Sequence, residues 1–371
     1  MRVIISAGGT GGHIYPALAI INKIKKEDKT AEFLYIGTDN RMEKDLIPSF
    51  NIPYEQLHVT GLDRKNILNN FKTINNLFVA IKKCKKIIKD FKPDIVIGCG
   101  GYVTVPVIIS ASKLKVKTII HEQNSVVGLA NKFLSKYVDK VMVSFPESVN
   151  LFKKDKAVLT GNPCSSNAVS LKKQDIEEYK LSNDKDTVLI VMGSLGSKTI
   201  NDMIYDNLNI FKDKNYQVLF VTGNSYYEKL DKVKEYDNVK VVPFIYELPR
   251  VMKSASLMVS RSGASTIAEI EAVNIPTIFI PSPYVTNNHQ YKNAVSLVSK
   301  DAGVLIEEKD LTMDNLISNI DNLLLDKKRY NVIKKNLKDI GIKDSDDRVY
   351  KVIKEVTKEW ICLIIMRYIK I

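Results

Sequence analysis

The sequence predicts an α/β protein built as two Rossmann-like domains. Three observations carry this. The chain has 371 residues, more than one ordinary core holds. Short β-branched runs alternate with longer amphipathic stretches, the signature of βαβ units and parallel sheets. That alternation stops once, over residues 161–187, and then restarts.

In the first half, "RVIIS" (2–6), "EFLYIG" (32–37), "DIVIG" (94–98), "KTIIHE" (117–122) and "KVMVSF" (140–145) read as buried strands. Segments 16–27, 70–91, 104–113 and 127–136 read as helices. The pause "GNPCSSNAVSLKKQDIEEYKLSNDKDT" is polar and turn-rich, so the domains join near 161–186. The second half repeats the theme with 187–193, 216–223, 239–244, 257–261, 276–281 and 303–308 as strands. Residues 326–358 read as charged helix.

The bulk properties narrow the function. An apolar fraction of 45% and a charged fraction of 26% are those of a folded globular chain. Cys84, Cys99, Cys164 and Cys362 form no CxxC pair, so neither a zinc site nor a disulfide framework is expected. The formal charge of +13 favours anionic partners such as phosphorylated molecules or an anionic membrane surface. No RNA-recognition or zinc-finger signature accompanies it, so nucleic acid is not expected. The basic stretch "IKKCKKIIKDFK" (81–92) suits a solvated helix face. The N-terminal apolar run breaks at glycine too early for a secretory signal. The tail 359–371 is too short to span a bilayer; a packed helix end is favoured over an interfacial anchor.

Three strands run into glycine-rich loops: "SAGGTGGH" (6–13), "GCGGY" (98–102) and "GSLGS" (193–197). Each precedes a helix-forming segment, where bare N–H groups and the helix dipole receive anions. In open α/β sheets ligands bind outside the strands' carboxyl ends. Two such domains facing each other would form a cleft lined by these loops. "GGTGGH" lacks the third glycine of a dinucleotide fingerprint and the G-K-[ST] of a Walker A loop. A tight turn needs one glycine, so four within five residues suit a phosphate or sugar at the backbone. His13 follows at the helix start, where the dipole keeps an imidazole neutral, as a general base must be. A merely capping or packing histidine is the other reading.

"SRSGASTIAEIEA" (260–272) reads as strand, loop and helix, with Ser262 or Ser265 as cap and Thr266 and Glu269 on one face. Glu269 suits a ribose or a capping box. "HEQN" (121–124) places four polar side chains at a strand's end. "PSPYVTNNHQYKNA" (281–294) is equally rich in amides.

Together, "GGTGGHIYPALA", "GCGGYVTVP", "HEQNSVVGLANKFL", "TGNP", "SRSGASTIAEI" and "TNNHQYKNA" resemble the MurG family, in the family's order, from residue 8 to about 295. These are the N-acetylglucosaminyltransferases that complete lipid II in peptidoglycan synthesis. The resemblance implies a GT-B glycosyltransferase with an acceptor and membrane domain (1–162), a UDP-sugar domain (163–341), and a terminal segment (342–371) whose helix returns to the first domain. It implies inverting transfer from UDP-GlcNAc to undecaprenyl-diphosphate-linked MurNAc-pentapeptide, with no cofactor or catalytic metal, by a peripheral enzyme on the cytoplasmic side of the cell membrane.

The resemblance also implies roles. Thr10, Gly11 and Gly12 would touch phosphate, Asn124 the donor sugar and Ser194 the diphosphate. Ile245 would meet the uracil. Ala264, Ser265 and Thr266 would line the phosphate end of a helix, and Glu269 would hold the ribose. His289 and Gln290 would hold sugar hydroxyls. His13 would be the base, with Glu122 second. Ile67, Leu68, Phe71, Leu77 and Phe78 beside lysines would meet the membrane. The chain departs from the family at Cys164 and Ser165, where an arginine is usual, and at Leu195, where glutamine is common. A GT-B enzyme acting on diacylglycerol, a UDP-GlcNAc 2-epimerase and a non-catalytic membrane scaffold remain as rivals.

Overall fold

A computed structural model describes residues 1–61, 70–193, 196–230, 232–234 and 236–368, and the side chains of all of these except 71, 72 and 359–368. The described chain divides into two units. Met1–Cys164 and Asp344–Ile371 form the first, and Ser165–Lys343 the second.

Unit 1 holds β1 (Arg2–Ser6), β2 (Glu32–Thr38), β3 (Tyr54–Leu57), β4 (Ile95–Gly98), β5 (Lys117–Glu122), β6 (Lys140–Val143) and β7 (Ala157–Leu159). They pair in the order β3-β2-β1-β4-β5-β6-β7, all parallel. Successive strand residues point to opposite faces, so the sheet carries two cores. Val3, Ile5, Ile95 and Ile97 face the helix Gly11–Glu27. Ile4, Val96 and Ile120 face Ala80, Cys84 and Ile88 of the helix Asn70–Phe91. The second face also buries Val107, Ile108 and Ala111 of the helix Thr104–Lys113.

The terminal helix Ser345–Tyr368 adds Val349, Val352, Ile353 and Val356 to the first core, spaced to share one helix face. Lys23 pins it, bonding Asp347 at 2.5 Å and Glu27 of its own helix at 2.8 Å.

Unit 2 holds β8 (Thr187–Val191), β9 (Gln217–Val221), β10 (Val239–Val242), β11 (Leu257–Ser260), β12 (Thr277–Phe279) and β13 (Val304–Leu305). Their order is β10-β9-β8-β11-β12-β13, again parallel. In both sheets the strand order reverses beside the unit's first strand, which makes the loops after β1 and β4, and those after β8 and β11, neighbours within their own units.

Several expected boundaries move. The first helix starts at Gly11, not at residue 16, and carries Pro16 inside it. Proline has no N–H, so the Gly12 carbonyl loses its helical donor there. The expected helix 127–136 is Leu129–Leu134. The stretch 326–358 is two helices, Lys327–Ile340 and Ser345–Tyr368. β3 and β7 carry no buried apolar run: of "YEQL" only Leu57 is buried, and "AVL" is half-buried. Edge strands of that kind leave no hydrophobic signature.

Candidate active site

In unit 1 the loops after β1 and β4 are bonded to each other. Gly8 N donates to Gly100 O at 3.2 Å. Gly101 adopts φ +89°, and a Cβ there would stand 2.5 Å from Gly8 O, so no side chain fits. Gly100, at φ +105°, lies under the imidazole of His13; its Cβ would fall 2.6 Å from His13 Cδ2. Gly100 and Gly101 of "GCGGY" thus let the two loops and the ring close on each other.

His13 sits in the first turn of the helix Gly11–Glu27, half-buried. Its Nδ1 lies 3.1 Å from Gly8 O. A carbonyl only accepts, so Nδ1 carries the proton and the neutral ring keeps a lone pair on Nε2. Thr10 is the helix's N-cap residue, with extended backbone and an exposed side chain. The amides of Gly11 and Gly12 belong to the first turn, which has no intrahelical acceptors for them.

Glu122, at the end of β5, is 2% exposed. Its carboxylate accepts from Asn124 N at 3.1 Å, Gly128 N at 2.9 Å and Asn131 Nδ2 at 2.9 Å. Those bonds shape the loop that carries Asn124. Beside it, His121 is fully buried against Gly161 O, and burial pushes its pKa down to about 4. Gln123 donates to Cys99 O at 2.8 Å and ties this strand end to the β4 loop.

In unit 2, Arg261 follows β11 and is 8% exposed. It pairs with Glu308 at 2.6 Å and donates to Ser197 Oγ and Ile280 O, each at 3.0 Å. It therefore lies under the glycine loop after β8, placing a buried cation there. Ser194 and Leu195 of that loop lie outside the described residues.

The helix Ala264–Val273 starts from Gly263, not from a serine cap. Ser262 instead donates to Gln290 O at 2.8 Å, joining this helix start to the helix His289–Val298. Ala264 is buried, and Ser265 and Thr266 are half-buried in the first turn. Glu269 stands one turn on, where burial pushes its carboxyl up to about 8. Ile245 is buried after β10, beside an exposed Tyr246. His289 Nδ1 bonds Thr286 O at 2.9 Å, so Nε2 is its accepting atom when neutral. Gln290 Oε1 accepts from Ser282 N at 2.8 Å, which leaves the amide nitrogen as its donating end.

The two half-sites are thus built from residues that stand out in the sequence and from others that do not. Arg261 is inconspicuous inside "SRSGAS" because its partner Glu308 is far along the chain. Glu43, buried with its carboxylate accepting from Gly9 N at 3.2 Å, is inconspicuous because nothing in "DNRMEKDL" shows that its side chain turns inward. At Cys164 and Ser165 the structure shows buried polar packing: Ser165 Oγ donates to Ile342 O at 2.6 Å.

Two parallel-sheet units, each with a glycine-rich loop at its own strand reversal, give this chain the architecture of a GT-B fold. The N-terminal domain model of glycosyltransferase family 28 matches residues 3–143, and its C-terminal domain model matches 187–349. A Halalkalibacterium halodurans protein is 44% identical over 96% of this chain and all of its own length. It is described as a UDP-N-acetylglucosamine–N-acetylmuramyl-(pentapeptide) pyrophosphoryl-undecaprenol N-acetylglucosamine transferase. The crystal structure of Acinetobacter baumannii MurG superposes with a TM-score of 0.75 at 25% identity, covering 95% of this chain and 99% of that one. A Listeria monocytogenes structure described as a UDP-N-acetylglucosamine 2-epimerase reaches 0.70 at 13% identity, covering 96% and 97%. That second likeness is one of fold alone. The chain belongs to glycosyltransferase family 28 and, within it, to the MurG family.

Proposed function

We propose that this chain transfers N-acetylglucosamine from UDP-GlcNAc to undecaprenyl-diphosphate-MurNAc-pentapeptide (lipid I), giving lipid II. The observation that carries the reading is full-length identity of 44% to an enzyme so described. The His13 tautomer supplies the chemistry. Nε2 takes the proton of an acceptor sugar hydroxyl as its oxygen bonds the anomeric carbon. The bond from that carbon to the donor phosphate breaks, and its electron pair leaves with UDP. Attack from the opposite face inverts the configuration.

In this reading unit 2 holds the donor. Amides at the start of the helix Ala264–Val273, Ser194 in the β8 loop and the Arg261 cation stabilise charge gathering on UDP. That is the work a metal does elsewhere, and we propose that none is needed. Glu269 receives the ribose hydroxyls, the Ile245 segment the uracil, and His289 and Gln290 the sugar. In unit 1, Thr10, Gly11 and Gly12 meet phosphate and Asn124 reaches the donor sugar. Glu122, with its oxygens already accepting internal bonds, acts as a loop brace and leaves the base role to His13.

Membrane contact belongs to the same proposal. On the helix Asn70–Phe91, Ala80, Cys84 and Ile88 face the core, while Ile74 and Phe78 are exposed, four residues apart and beside Lys82, Lys83, Lys85 and Lys86. Leu77 is half-buried. Ile67 and Leu68, and the side chain of Phe71, lie outside the described residues. Exposed apolar anchors among lysines suit an anionic cytoplasmic leaflet. Among the described residues no helix is long and apolar enough to cross a membrane, so the association is peripheral in this reading.

One assay tests the proposal. Purified protein is incubated with radiolabelled UDP-GlcNAc and a lipid I analogue in EDTA. Label in the lipid product is expected. Free N-acetylmannosamine instead would establish the epimerase rival, and labelled diacylglycerol the glycolipid rival. UDP binding without turnover would establish the scaffold.

A further inference from the structure

Glu43 is a charged side chain with no exposed surface, and the reaction as outlined does not use it. It stands at the start of a short helical turn after β2 and reaches back under the loop that follows β1. Its Oε1 accepts from Thr38 N at 3.1 Å and Thr38 Oγ1 at 2.6 Å. Its Oε2 accepts from Gly9 N at 3.2 Å. Three donors converge on it.

Gly9 N–H belongs to the same peptide unit as Gly8 C=O, and that carbonyl receives the Nδ1 proton of His13 at 3.1 Å. In a trans peptide the N–H and C=O point in opposite directions. One peptide therefore has a carboxylate on one side and an imidazole on the other. We propose that Glu43 is a positioning residue for His13, acting through the Gly8–Gly9 peptide. It takes the part an acid plays when it bonds a catalytic imidazole directly, with one peptide group interposed.

The physics follows from polarisation. A carboxylate accepting the Gly9 N–H draws the peptide's electrons toward Gly8 O and makes that oxygen a stronger acceptor. A stronger acceptor holds the Nδ1 proton, fixes the tautomer with Nε2 as base, and favours the imidazolium formed during transfer. The helix N-terminus on which His13 sits opposes ring protonation.

Other ionisable groups face the pair. Tyr35 and Tyr54 donate to Ala7 O and Thr38 O, and burial raises both phenols. Burial pushes Cys99 up to about 12. Asp39 and Asp45 also raise the Tyr54 phenol, and Asp39 is paired with His58 at 2.8 Å. The phenols and the thiol stay neutral in the neutral range, leaving Glu43 as the charge bonded to this peptide.

The proposal rests on His13 being the base, but its test does not. The chain has four histidines. The His13 ring is followed by nitrogen-15 NMR through a pH titration and assigned by its loss in His13→Ala. In the wild type the Nδ1–H tautomer is expected. Glu43→Gln keeps the shape and removes the charge, so the His13 midpoint is expected to fall by about half a pH unit. The acid limb of the kcat/KM profile should move down with it, kcat should drop roughly fivefold, and KM for UDP-GlcNAc should hold. Glu43→Asp keeps the charge on a shorter arm and serves if the glutamine variant fails to fold; a smaller shift in the same direction is expected. A folded variant of either kind whose His13 titrates as wild type overturns the proposal, even if turnover falls. His13→Ala at full turnover overturns the base assignment alone, and the titration still decides whether Glu43 acts on the ring.

Discussion

Unit 1 and unit 2 place a glycine loop after their first strand in sheets that share one order over six strands, unit 1 adding a seventh, yet the side chain behind each loop carries the opposite charge. Under the β1 loop lies Glu43, a buried carboxylate bonded to Gly9 N. Under the β8 loop lies Arg261, a buried guanidinium bonded to Ser197 Oγ. A glycine loop by itself only admits close approach. In the proposed reading the carboxylate serves a base that must gain a proton, and the guanidinium, paired with Glu308, serves a diphosphate that gains negative charge. The titrating groups repeat the contrast. Burial holds His121 of unit 1 deprotonated and Glu269 of unit 2 protonated near neutral pH.

One substitution breaks the unit 2 half of this contrast. Arg261→Met leaves Glu308 with no cation and withdraws the positive charge from the β8 loop. Loss of one partner of such a pair costs about 3 kcal/mol of stability. UDP affinity, read by calorimetry, should fall roughly tenfold or more. Arg261→Met with unchanged UDP affinity would show that the cation serves packing only.

A gentler test uses pH. His121 has its pKa lowered from 6.5 to about 4. Its stabilisation of the neutral form is complete above pH 6.5 and lost as pH falls through 4, for a total of about 3 kcal/mol. Glu269 has its pKa raised from 4.5 to about 8. Stability linked to it is complete below pH 4.5 and lost as pH rises through 8. Unit 1 should therefore weaken in acid and unit 2 in base. Proteolysis in urea, read peptide by peptide by mass spectrometry, separates the two. Parallel slopes in both units would contradict the assignment.

Much of this was legible in the sequence. The β-branched runs of β1, β4, β5, β8 and β11 are buried on both faces and announce themselves by composition. The edge strands β3 and β7 do not, because half-buried strands have no such run. The candidate site was legible where the local sequence is unusual, as in "GGTGGH" and "SGAS". It was hidden where function needs ordinary residues brought from afar. Glu43 lies 34 positions from Gly9 and Glu308 47 from Arg261, distances only the fold closes. The serine cap expected at residue 262 or 265 failed: Gly263 is the N-cap, Ser265 lies inside the helix, and a tertiary acceptor, Gln290 O, takes the Ser262 hydroxyl.

In the proposed mechanism unit 1 supplies the base and unit 2 the donor site. Turnover and UDP binding measured side by side on His13→Ala test it most directly. Turnover is predicted to fall about a thousandfold, with UDP affinity within twofold of wild type. Undiminished turnover, or turnover and affinity lost in equal measure, would contradict it.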